Sequence, residues 1–192
     1  FGPQTLGVLV RGLDDAPTAQ RETVCAYLQS RSSDSPEFGR LQALAARLPG
    51  FQVTPEILQW VDRKVDSRPR HLDPDLEYML TRLDTASLER LMAQQATRPP
   101  SQRRPSLLGI WARKAFTAGR EAEVCDRVEA EARMHDGDWA QAALPLAEVI
   151  NTPFLDWFLA FCVRGCTTDS RGGSGALVVL INRRAEFGRS LR

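Results

Sequence analysis

Lysine is nearly missing from this chain: of its 25 basic residues, 23 are arginine and two are lysine. Histidine, asparagine and tyrosine also occur only twice each. With His71 and His135 as the whole supply, there is little from which to build a histidine base or a histidine metal site. No apolar run approaches the roughly 20 residues that a membrane-spanning helix needs. The densest stretch, Phe154 to Val163, is interrupted by Asp156 and is half that length, so it predicts a buried helix. No charged-then-apolar leader follows Phe1, and the missing initial methionine reads as the mark of an excised fragment, in which a targeting segment would not be visible.

Charge of one sign is lacking as well. The net charge is +1, which gives no overall electrostatic case for nucleic acid or for an anionic membrane. Four cysteines (Cys25, Cys125, Cys162, Cys166) are scattered through 192 residues, 43% of them hydrophobic. A chain of that size builds a core without staples, so reduced thiols and an intracellular setting, cytoplasm or nucleus, are expected. Asn151-Thr152 is followed by Pro153 and is therefore no glycosylation sequon, which points the same way.

The familiar catalytic arrangements are absent. Gly172-x-Ser174-x-Ala176 echoes a nucleophile elbow, but no strand leads into it and both histidines precede it. Cys162 and Cys166 have the spacing of one helical face, yet Gly165 is expected to end the helix between them, and a structural zinc site wants four ligands. His135-Asp136 with Asp138 reads as a polar turn. No phosphate-binding glycine loop, dinucleotide fingerprint or calcium-loop spacing occurs. The expectation is a protein without enzymatic activity, cofactor, metal or small-molecule substrate.

What the chain has in abundance is apolar residues at helical spacing, with no alternating strand pattern longer than four residues before residue 176. The fold class expected is all-α: a helical bundle or a short HEAT-like α-solenoid of about eight or nine helices, without significant sheet. Ser35-Pro36-Glu37, Thr54-Pro55-Glu56 and Asp73-Pro74-Asp75 each combine a capping side chain, a proline that loses no hydrogen bond in the first turn, and a carboxylate suited to the helix dipole. Pro17, Pro36, Pro55 and Pro74 recur every 19 residues, so two helices make a 38-residue hairpin of solenoid size. Gly119 is expected to close one later helix and Pro145 to interrupt another. The helix after Thr152-Pro153 is apolar around most of its circumference and should be central. Trp60, Trp111, Trp139 and Trp157 are expected in the core, with one of them lining an interface.

Domain organisation follows from composition. Residues 1–97 read as an N-terminal helical array, 98–105 (Arg98, Arg103 and Arg104 among prolines) as a solvated linker, and 106–171 as the C-terminal part of the same domain. Residues 172–175, Gly-Gly-Ser-Gly, have the composition of an engineered tether, and 176–192 then read as a tethered partner peptide. In that segment Leu177, Leu180, Ile181, Phe187 and Leu191 fall near one side of a helix, the spacing of a helix lying in an apolar groove. The body carries 21 basic and 23 acidic residues, net −2, against net +3 for the tail. The function expected is a scaffold domain that binds an amphipathic helical segment of another protein, with no membrane partner. A nucleic-acid-binding helical repeat using its arginines is the alternative, with salt-dependent affinity as its signature.

Overall fold

A computed structural model describes residues 8, 10, 12–67, 73–99, 102–104, 106–134, 139–168 and 170–188; of these, the side chains of 134, 139–141, 168 and 170–172 lie outside the description. Eleven α-helices and no strand occur among the described residues, so the protein is all-α. The chain divides into two compact units, residues 1–83 and 84–192. That division lies ahead of the 98–105 stretch expected to act as a linker.

Unit 1 contains α1 (Thr18–Gln29), α2 (Phe38–Ala45), α3 (Pro55–Ser67) and α4 (Pro74–Arg82). Its centre is α2, which packs on each of the other three. Almost every α2 side chain is therefore buried, including the polar Gln42, whose Nε2 donates to the Leu28 carbonyl at 3.1 Å. Cys25 and Leu28 of α1 join Leu41, Leu44, Ala45, Leu48 and Val10 in one apolar cluster. Trp60 of α3 meets Phe38 edge to face, ring centroids 6.3 Å apart, a favoured aromatic geometry.

Two of the three capped starts are found as expected. Asp73 accepts from the amides of Asp75 and Leu76 at 3.1 and 3.2 Å, and Thr54 Oγ1 accepts from Ile57 N at 3.4 Å, with Pro74 and Pro55 at the first helical positions. The third differs. Ser35 Oγ accepts from Glu37 N at 3.3 Å, and α2 begins only at Phe38. The serine closes a local turn instead of capping a helix, the competing use of a short hydroxyl side chain. Pro36 thus lies ahead of its helix and Pro17 at the N-cap of α1, so the 19-residue spacing does not place all four prolines equivalently.

Unit 2 contains α5 (Thr85–Ala96), α6 (Ser106–Thr117), α7 (Glu121–Met134), α8 (Trp139–Ala147), α9 (Leu155–Thr168), α10 (Ser170–Asn182) and the single turn α11 (Arg184–Phe187). Helix α6 is the hub, packing on α5, α7 and α8. Its small Gly109, Ala112 and Ala115 alternate with the fully buried Trp111 and with Leu107, Leu108 and Phe116. Gly119 closes it in left-handed geometry (φ +80°), with Arg120 N donating to the Ala115 carbonyl at 3.0 Å and Gly119 N to Phe116 at 3.1 Å. These two bonds are the Schellman pattern.

Three expectations are corrected here. Helix α8 runs through Pro145; the ring costs one hydrogen bond near the end of a short helix, which packing on α6 and α10 outweighs. Helix α9 continues through Gly165 to Thr168, because a helical glycine costs only about 1 kcal/mol relative to alanine. That helix is also one-sided, not buried all round: Leu155, Phe158, Phe161 and Cys162 face inward while Val163 is 57% exposed.

Candidate functional site

The stretch 172–175, expected as a flexible linker, is helical, and α10 spans it without a break. Gly-Gly-Ser-Gly is a poor helix former on propensity alone, so tertiary contact holds it. Helix α10 packs on both α8 and α9, and those two helices also touch each other. The segment therefore lies in a groove between them, with Gly173, Ala176 and Leu180 on its buried face.

Each expected contact residue has a definite place. Leu180 and Phe187 are buried and Leu177 is half-buried, whereas Ile181 is 53% exposed. Successive helical residues stand about 100° apart, so Ile181, one residue beyond Leu180, turns out of the groove. Leu191 lies outside the described residues. The contact stripe is thus Gly173–Ala176–Leu180, with Leu177 at its margin.

Two contacts define the groove chemically. At its α9 wall, α10 approaches so closely that a Cβ on Gly173 would meet Cys166 Sγ at 2.5 Å, Cys166 N at 2.8 Å, and the Cys162 carbonyl oxygen. Two of those atoms are main chain. At the α8 end, Arg183 Nη1 donates to the Ala147 carbonyl at 2.7 Å and Nη2 to Ile150 at 3.3 Å. These acceptors lie at and just beyond the C-terminus of α8, where the helix dipole favours a cation. Arg183 is oriented by Glu186, whose Oε2 takes Nη2 at 2.5 Å. Neither Gly173 nor Arg183 stands out in the sequence; glycine in a glycine-rich run reads as flexibility and arginine in an arginine-rich chain as background.

Cys162 and Cys166 share one face of α9, since the helix continues between them. All four cysteines are free. Burial pushes the Cys162 thiol up to about 12, with Cys166 adding to the effect. Burial likewise raises Cys125, to about 11. Among the described residues no group of three or more potential ligands is placed to hold a metal ion. His71 and the His135–Asp138 cluster lie outside the described residues.

Of the three arginines expected in the linker, Arg103 has its guanidinium engaged within the protein. Arg103 Nε donates to the Arg98 carbonyl at 2.9 Å and Nη2 to Ala96 at 3.0 Å, closing the end of α5, and Nη1 lies 3.5 Å from Glu131. Arg104 is only 4% exposed, and its amide donates to the buried Gln95 Oε1 at 2.7 Å. Gln95, Arg103, Arg104 and Glu131, with Met92, Leu107 and Leu108, line a cavity of about 40 Å³. The expected solvated linker is therefore corrected at Arg104: part of it is core, because the Arg104 amide is tied to the buried Gln95 while the Arg103 guanidinium closes the end of α5. Of the tryptophans, Trp60 and Trp111 are buried, Trp157 is half-buried beside Phe161, and the Trp139 side chain lies outside the described residues.

No helix among the described residues is long and apolar enough to cross a membrane. No family model, curated protein or solved structure matches this chain. The fold and the groove define an all-α protein of two compact units, with a helix-filled groove in the second.

Proposed function

We propose that this is a scaffold or interaction domain that binds an amphipathic helical segment of a partner protein in the groove between α8 and α9. A helix in an apolar groove is a recurrent recognition mode, with anchors spaced along one face. The observation that carries the reading is the seat of α10: a segment of weak intrinsic helicity is helical there, its apolar stripe buried and Arg183 bonded across the end of α8. The four unpaired cysteines support an intracellular setting.

The experiment is a titration of isotope-labelled full-length protein with an unlabelled peptide of residues 170–188. Resonance shifts confined to Leu144, Ala147, Ile150, Cys162, Cys166 and their neighbours are expected. A peptide that leaves these positions unmoved at millimolar concentration overturns the proposal.

A further inference from the structure

We propose that the α8–α9 groove selects its helix by register: glycine at the crossing point, a small residue three positions on, leucine at seven and arginine at ten. The chain's own Gly173, Ala176, Leu180 and Arg183 are the resident copy of that pattern. This rests on the helix-binding reading and states what kind of helix the groove takes and what competes for it.

The glycine requirement is geometric. Cys166 N and the Cys162 carbonyl belong to the α9 backbone, so a Cβ at position 173 cannot be relieved by a side-chain rotation. Two residues on the constraint vanishes: a Cβ on Gly175 would lie 3.8 Å from Leu144 Cδ1, an ordinary contact. Positions 173, 176 and 180 share one face of α10, and Ala176 and Leu180 are completely buried. A larger side chain at 176 would overpack the site, and a smaller one at 180 would leave a void.

The arginine requirement comes from the fork. One guanidinium spans two carbonyls three residues apart in sequence, which the single ammonium of lysine does not reproduce. The resident helix meets all four points yet carries glycine at 172 and 175 as well as at 173. Each glycine costs about 1 kcal/mol of helix propensity relative to alanine. Its advantage is attachment, worth an effective concentration of about millimolar. An outside helix that keeps glycine at the crossing point but replaces the others with alanine meets the same contacts at a lower ordering cost. The tail thus acts as a built-in competitor that admits only helices fitting the register better than itself.

The test uses the full-length chain, as wild type and as Arg183→Ala, which loosens the resident without altering the groove walls. The probes are two fluorescent peptides of residues 170–188, one with Gly175→Ala and one with Gly175→Ala plus Gly173→Ala, followed by anisotropy. The first is expected to bind at least about tenfold more tightly than the second, and more tightly to the Arg183→Ala chain than to wild type. Equal binding of the two overturns the register while leaving helix binding intact. No binding of either, with circular dichroism confirming folded helices, overturns both. Thermal midpoints give an independent arm within the intact chain: Gly173→Ala is expected to lower the midpoint and Gly175→Ala to raise it. Shifts of the same sign overturn the register.

Discussion

The buried indole of Trp111 donates its N–H to Glu89 Oε1 at 2.9 Å, and Arg120 Nη1 reaches the same oxygen at 2.7 Å. Arg127 lies over the ring, 4.7 Å from its centroid. The indole hydrogen bond, then Arg120, hold the Glu89 carboxyl below its ordinary value of 4.5. The folded state therefore releases this proton more readily than the unfolded chain. Its stabilisation is complete above the ordinary value and is lost as pH falls through the lower, folded one. The N-cap Asp84, lowered by its bonds to Ser87, changes in the same direction.

Urea midpoints of unit 2 should accordingly fall as pH drops below about 4.5, and the fall should be shallower in Glu89→Gln. At neutral pH, Glu89→Ala leaves a buried indole donor without its acceptor and should cost about 1–3 kcal/mol. A pH profile identical in wild type and Glu89→Gln would refute the assignment.

In unit 1, the Trp60 indole packs against Gly39, with ring carbons 2.6 and 2.7 Å from where a Cβ would sit and another closer still. Gly39→Ala should displace the indole and cost about 1–3 kcal/mol, the usual cost of overpacking. Denaturation midpoints measure it, and a shifted Trp60 emission should accompany the loss.

Leu180 and Ile181 are neighbours with opposite fates. Leu180→Ala should destabilise by about 2–5 kcal/mol through the cavity left in the groove. Ile181→Ala should stay within about 0.5 kcal/mol, as exposed positions do. Equal effects in chemical denaturation would mean that α10 is rotated from the orientation described.

The thiols should react in order of access. Cys166 is half-exposed, whereas Cys25, Cys125 and Cys162 are buried with raised thiol values. An aromatic disulfide reagent should modify Cys166 first, and the other three only on unfolding, since the thiolate is the nucleophile. Peptide mapping after partial labelling checks this.

How much of this was legible in the sequence varies by element. Asp73-Pro74 and Thr54-Pro55 announced their helices because cap, ring and dipole act within a few residues. Ser35-Pro36 carried the same letters and failed, since the serine satisfied a nearer amide and the helix waited for Phe38. Pro145, Gly165 and residues 172–175 depart from expectation in one direction: each is locally unfavourable for a helix, and contact with a neighbouring helix overrides it. Leu180 and Phe187 follow from periodicity, but Ile181 does not, because a cluster of apolar residues does not say which ones the groove takes. Gly173 carries no local signal, because a close approach is a property of two helices and not of the sequence of one.

A single residue separates the end of α9 at Thr168 from the start of α10 at Ser170. A truncation at the glycine-rich stretch looks like trimming a disordered end, yet it would remove the helix that fills the groove of unit 2. The carbonyls of Ala147 and Ile150 would lose their guanidinium, and the α9 flank at Cys162 would meet water. A shortened product should therefore be sticky and protease-sensitive, and expression boundaries drawn by composition alone would discard part of the fold.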